Sequence, residues 1–192
     1  GESIRKTGNE ELFKRLAREN IKAFIENGVK RILVSSPHCY HTFKNEYSEF
    51  KVNFDVVHIS QFLFELINDG RLQITKEYGK KVTYHDPCYL GRHNGIYDEP
   101  REALKKIPGL ELIEMAETRE DSLCCGMGGG RIWFETPKSE RFSNIRMEEA
   151  IGIGAEELVT ACPYCITNFE DTSAVLNCTD VIRVRDITEI LQ

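Results

Sequence analysis

Gly154-Ala155-Glu156-Glu157-Leu158-Val159-Thr160-Ala161-Cys162-Pro163-Tyr164-Cys165 is the stretch on which the fold turns. A short strand over Glu157 to Thr160 runs straight into a Cys-x-x-Cys turn, and Ile166 to Leu176 follows as a helix. The same pattern stands 126 positions earlier (39 to 165), as Gly28-Val29-Lys30-Arg31-Ile32-Leu33-Val34-Ser35-Ser36-Pro37-His38-Cys39. With one residue of slippage, Val57-His58-Ile59-Ser60-Gln61-Phe62 aligns with Ile182-Arg183-Val184-Arg185-Asp186-Ile187. Two copies of one unit are present, and the first has serine where the turn's first cysteine is expected.

Strands and helices alternate around this duplication. From Glu10 to Asn27 the residues Leu12, Phe13, Leu16, Ala17, Ile21, Phe24 and Ile25 recur at helical spacing, and Gly28 stops the helix. Val29 to Ser35 reads as a buried strand, Tyr40 to Phe50 as a helix, Val56 to Ile59 as a strand and Gln61 to Asn68 as a helix ending at Gly70. Lys81 to His85 is a third strand, followed by a helix over Glu99 to Lys106 and a strand over Leu110 to Met115. Pro137, a good first-turn residue, opens a helix to Ile151. Val181 to Val184 is a strand and Ile187 to Leu191 a closing helix. The alternation predicts an α/β fold of two pseudo-repeated Rossmann-like units, with parallel sheets covered by helices. In such folds, strand ends that run into loops carry the sites.

One strand end runs into His85-Asp86-Pro87-Cys88, a loop carries Cys124-Cys125, and another strand end carries Cys162-Pro163-Tyr164-Cys165. Five of the seven cysteines thus fall in three tight groups, each beside a turn-shaping residue: Pro87, Gly126 or Pro163. Soft thiolates gathered from separate loops hold zinc or iron–sulfur clusters. Two neighbouring side chains rarely both reach one small ion, whereas a multi-iron cluster accepts them, and five thiols exceed the four of a closed zinc site. Iron is favoured and zinc is the alternative. A redox dithiol at Cys162 and Cys165 would leave Cys88 and the adjacent pair unexplained.

His85-Asp86-Pro87-Cys88-Tyr89-Leu90-Gly91-Arg92, Cys124-Cys125-Gly126-Met127-Gly128-Gly129-Gly130 and Ala161-Cys162-Pro163-Tyr164-Cys165 resemble the CCG cysteine-rich domain of the catalytic subunits of heterodisulfide reductase and of related iron–sulfur oxidoreductases. The resemblance implies a noncubane four-iron four-sulfur cluster on Cys88, Cys124, Cys125, Cys162 and Cys165. It implies electron transfer with disulfide reduction on a small-molecule disulfide or thiol, fed by a conventional 4Fe-4S donor domain or subunit. Alternatives are an electron-relay subunit of a lactate, glycolate, succinate or quinone-linked enzyme, and a structural zinc module.

On this reading residues 1–75 are the second part of a degraded first CCG copy and 76–192 a complete second copy. An offset of 125 (57 to 182) sets Gly1 opposite Gly126, so the chain is expected to be a C-terminal fragment of a longer protein. Cys39, with His38 and His41 near it, is a candidate for substrate-side chemistry or a bystander. His85 is a second catalytic candidate, as a hydrogen-bond or proton donor to sulfur, or else a capping residue of its strand.

Gly126, Gly128, Gly129 and Arg131 form the candidate cofactor-binding loop. Arg131 replaces the third glycine of a dinucleotide motif, so the loop is read as backbone wrapping an inorganic cluster. Arg92 and Arg131 could offset thiolate charge, and Trp133 and Phe134 are expected to shield the site. Cys178 is read as packing.

The formal charge of −6 over 192 residues argues against nucleic acid or an anionic membrane as partner of this chain. No apolar run is long enough to span a bilayer, although the parent complex could still associate with one. The polar segment from Gly1 to Asn9 does not read as a signal peptide, and clustered thiols suit a reducing compartment, so a cytoplasmic location is expected.

Overall fold

The computed structural model describes residues 1–191. A short helix α1 (Glu2–Lys6) leads into α2 (Glu10–Glu26), where the Asn9 side chain accepts the Leu12 N–H at 3.1 Å as an N-cap. Phe13, Ala17 and Ile21, four residues apart, form the buried stripe of α2. Gly28 ends it at φ +64, and the Val29 N–H reaches the Phe24 carbonyl. The identical device closes α6 (Phe142–Gly152) 126 positions on, with Gly154 at φ +79 and the Ala155 N–H on the Ala150 carbonyl. Both sequence copies therefore use the same helix stop.

After each stop comes a strand. In the first unit β1 (Arg31–Val34) pairs in parallel with β2 (Asp55–His58). In the second, β3 (Lys81–Tyr84), β4 (Glu111–Leu112), β5 (Glu157–Thr160) and β6 (Arg183–Asp186) form a parallel sheet of order β4-β3-β5-β6. The α/β fold of two parallel sheets flanked by helices is as the sequence predicts. β5 lies inside its sheet and every residue of it is buried, the pattern of a strand covered on both faces. One core joins the units: Tyr40 and Val56 pack with Val82, Tyr84, Leu104 and Val159. Each such fully buried aliphatic side chain contributes roughly 1.5 to 3 kcal/mol.

The sheet register corrects the second half of the internal alignment. Arg31 pairs with Asp55 and Glu157 with Arg183, so equivalent strands differ by 126 on one side (31 to 157) and 128 on the other (55 to 183). His58 is thereby the counterpart of Asp186. Each caps the helical turn after its strand: His58 Nδ1 accepts the Ser60 N–H and Gln61 reaches back to the His58 N–H, while Asp186 accepts from Thr188 and Glu189 reaches back to Asp186. Matching apolar letters shifted the pairing by three residues, because the caps use different residue types.

Other expectations shift locally. The helix expected from Pro137 starts at Phe142, with a 3-10 turn over Lys138–Glu140 before it. The segment expected as a helix from Tyr40 to Phe50 is α3 (Pro37–His41), then π turns over Thr42–Glu46, then 3-10 turns over Tyr47–Phe50. The closing helix is a single 3-10 turn, Ile187–Glu189, and the strand over Leu110 to Met115 shortens to β4. Helix α7 begins at Pro163 and runs to Val175, which puts Cys165 in its first turn. The remaining helices are α4 (Ile59–Asn68) and α5 (Asp98–Lys105), which pack on each other across the two units. No described helix is long and apolar enough to cross a membrane.

Candidate metal centre

β3 delivers the first thiol. His85 continues the ladder by donating its N–H to the Val159 carbonyl at 2.8 Å, and Asp86-Pro87 then turns the chain to Cys88. Asp86 is buried, and Arg101 of α5 grips it through two bonds of 2.7 and 2.8 Å. The same carboxylate accepts the Arg119 N–H at 2.8 Å, at the entrance to the loop that carries Cys124 and Cys125. Arg119 stands there at φ +58, a backbone conformation that this bond helps to hold. Arg101 also binds Glu114 and Thr118, so one guanidinium fixes two of the three cysteine-bearing segments. The Arg101 guanidinium and the Arg119 N–H keep the Asp86 carboxyl below its ordinary range against the cost of burial.

Arg92 holds the same loop from its other side. Its guanidinium donates to the Ser122 carbonyl at 2.7 Å and to the Glu120 carbonyl, a clamp on backbone rather than a charge turned toward the thiols. Gly126, at φ +90, places its N–H 3.3 Å from Cys124 Sγ. From α7, Asn168 donates to the Cys125 carbonyl and ties the pair to the helix that bears Cys165.

The thiols of these segments converge. Cys88 and Cys124 Sγ lie 3.8 Å apart, and Cys125 and Cys165 Sγ 3.2 Å apart. His85 offers a ring nitrogen within 4.8 Å of both Cys125 and Cys165, and among the described residues no other set of three metal-binding side chains is this tight. Cys162 caps α7 and is buried beside them. Cys124 is held well below the ordinary thiol range by hydrogen bonding from Cys125 and Cys88, and Cys162 is lowered to about 5 chiefly by Cys165. Their neighbours Cys88, Cys125 and Cys165 are pushed up. The group favours early loss of some protons and retention of others, as expected when several thiols share one low-dielectric site.

Two imidazoles flank the sulfurs. His85 is fully buried, edge-on to Phe169 at 4.8 Å, and burial followed by Arg146 lowers it to about 3, so its ring is neutral. His38, from α3 of the first unit, is also buried. Neither ring has a hydrogen-bond partner on either nitrogen. Cys39, in contrast, is exposed, and His41 bonds to Asn45 and Asn94, so the Cys39, His38 and His41 group is not gathered into one site. Cys178 is buried in the core beside Ser173.

A cavity of about 620 Å³ opens at this centre, and Cys88, Cys124, Cys125, Gly126 and Gly128 are among the residues that line it. Ile132, Trp133, Phe134 and Phe142 also line it. Trp133 and Phe134 are 74% and 69% exposed, so they border the opening instead of sealing it as the sequence suggested. Arg131 donates to Thr136 at 3.0 Å on the cavity wall, and Gly129 turns at φ +65 on the exposed side of the loop. Helix α1 covers the flank of the site: Ser3 Oγ is 3.2 Å from the Tyr164 hydroxyl, and the Thr7 methyl meets the loop at Gly130.

Asp86, Arg101 and Arg146 are site residues that sequence reading passed over as functional, and His38 was read only as a neighbour of Cys39. For His38 a signal existed, since it stands opposite Tyr164 in the repeat. Arg101 and Arg146 belong to helices whose sequence shows nothing of what lies across from them.

A parallel α/β domain that collects five thiols at the ends of its strands and on one glycine loop is a cysteine-rich domain with the donor set of a soft-metal centre. The chain belongs to the CCG family, described as a cysteine-rich domain, which matches residues 1–44 and 82–170. It is 41% identical over its whole length to the probable iron-sulfur-binding oxidoreductase FadF of Bacillus subtilis, covering 27% of that protein. It is 38% identical to the EtfAB:quinone oxidoreductase of Syntrophomonas wolfei, covering 28% of it. It is 34% identical to a subunit of the dihydromethanophenazine:CoB–CoM heterodisulfide reductase of Methanosarcina barkeri, covering 48% of that polypeptide. The chain thus spans between about a quarter and a half of the length of these relatives.

Proposed function

We propose that this domain is the iron–sulfur, electron-transferring part of an oxidoreductase and that it reduces a small-molecule disulfide. The observation that carries the reading is the gathering of five thiols at one spot, three of them lining an open cavity. The donors follow one another as a run of neighbours, Cys88, Cys124, Cys125, Cys165 and Cys162, rather than as four sulfurs about one point, which suits a multi-metal core better than a single tetrahedral zinc. Buried ring nitrogens without partners and a loop free of Cβ atoms at Gly126 and Gly128 leave room and N–H groups for inorganic sulfide. Cys88, Cys124, Cys125, Cys162 and Cys165 would hold a noncubane four-iron four-sulfur cluster. Bound there, it supplies single electrons to a substrate disulfide.

The chain's own groups do the rest. Cys88 and Cys124, the less buried thiols, line the cavity together with the buried Cys125, whereas the buried Cys162 and Cys165 do not. Neutral His85 keeps one N–H for sulfur beside Cys125 and Cys165. The apolar side chains of Trp133, Phe134 and Phe142 would offer contact to an entering disulfide. Electrons would come from a conventional 4Fe-4S domain or subunit, in the cytoplasm. A second reading, relay to a quinone with no substrate at the centre, takes support from the name of the Syntrophomonas relative.

Anaerobic purification with iron and sulfide analysis and electron paramagnetic resonance tests the cofactor. About four irons and four sulfides per chain are expected, falling sharply in Cys124→Ser and unchanged in Cys39→Ser. Colourless protein with one zinc per chain refutes both readings. Disulfide turnover by the full-length protein, against quinone reduction without it, separates the reductase from the relay.

A further inference from the structure

The strongest unexplained group at the site is His38. It is 4% exposed, stacks on Tyr89 at 4.2 Å between ring centroids and meets Tyr164 edge-on at 4.7 Å. Its neighbours all belong to the cysteine-bearing segments: Tyr89 follows Cys88, Tyr164 stands between Cys162 and Cys165, and Gly128 lies in the loop after Cys125. A Cβ added at Gly128 would come 3.0 Å from its Nε2, so the glycine loop passes directly against the ring edge. Yet both ring nitrogens are buried without a partner. A buried polar group left unpaired is destabilising, so the fold must recover that cost from something at this spot. In either protonation state an imidazole keeps at least one N–H to donate.

We infer that His38, supplied by the first repeat, is a positioning and tuning residue of the metal centre, donating a ring N–H to its sulfur. The inference rests on the reading above that the five cysteines hold a cluster. A donor to sulfur stabilises the more negative, reduced state of such a centre. Tyr89 and Tyr164 fix the ring plane, and Gly128 leaves the space the ring edge occupies.

The test is an anaerobic redox titration of the reconstituted chain, followed by electron paramagnetic resonance, for wild type, His38→Phe, His38→Gln and Gly128→Ala. His38→Phe keeps the stacking but has no donor. It should retain iron and sulfide and become harder to reduce, with about a tenfold lower reduced-to-oxidised ratio at fixed potential, equivalent to about 59 mV for one electron. His38→Gln, with an N–H restored, should recover part of the shift. Gly128→Ala, which crowds the ring, should move the potential the same way in wild type and add nothing in His38→Phe.

Full loading with an unchanged potential in His38→Phe overturns the inference. Should His38→Phe fail to load, Gly128→Ala decides alone, and no shift there overturns it. A wild-type chain that takes up zinc but no iron defeats the cluster reading instead. His38 is then judged on the cobalt-loaded chain, whose thiolate charge-transfer band must shift in His38→Phe for the contact to stand.

Discussion

Replacing Arg101 by methionine removes the group that neutralises Asp86 while keeping much of the side chain's apolar length. In the structure the carboxylate loses two bonds of 2.7 and 2.8 Å and keeps the Arg119 N–H at 2.8 Å and the Thr118 hydroxyl at 3.3 Å. Both members of the pair have side chains only 2% exposed, so water cannot take over from the guanidinium. Stranding one charge of a buried pair costs about 3 to 5 kcal/mol. The two bonds Asp86 retains place the expected loss near the lower end, about 3 kcal/mol, against a total of about 5 to 15 kcal/mol for a domain. Urea denaturation of the reduced, metal-free chain by far-ultraviolet circular dichroism measures it. The double variant Asp86→Asn/Arg101→Met removes the stranded charge and should regain about half of the loss. A single-variant cost below about 1 kcal/mol, or a double variant no more stable than the single, would refute the reasoning.

Burial holds His58 down at about 4. The folded state therefore prefers the neutral ring, and its contribution is intact above pH 6.5 and lost as pH falls from 6.5 toward 4, by roughly 3 kcal/mol in all. His58→Asn keeps an acceptor for the Ser60 N–H, so urea midpoints of the two proteins should differ in slope against pH across that window. Parallel pH profiles would count against it. Leu158→Ala, in the interior strand of the four-stranded sheet, should cost about 2 to 5 kcal/mol; denaturation of the metal-free chain checks this. Gly126→Ala forces a side chain to φ +90, at a cost of about 1 to 2 kcal/mol. It should also lower iron retained per chain after gel filtration, and unchanged retention would show that the Gly126 turn does not shape the site.

Strand existence was legible because β5 and its counterpart β1 are short apolar runs between a glycine stop and a proline. The helix stop at Gly28 and Gly154 could be read for the same reason, since only glycine takes that turn at low cost. Helix α1 escaped notice because five residues hold too few apolar positions to show a period. The slip between β2 and β6 arose where one copy caps with histidine and the other with aspartate. For the centre, the spacing of Cys88, Cys124, Cys125, Cys162 and Cys165 announced itself, since the residue type names its own chemistry. His38 and Arg101 did not, because their importance lies in what the tertiary fold sets against them.

The Tyr40 to Val159 core and the reach of His38 across the seam carry a consequence for how such duplicated chains age. A unit that gives this centre none of its five thiols still supplies bulk, a ring and a covering helix to its neighbour. Damage confined to the first unit should therefore register first as a fault at the centre in the second.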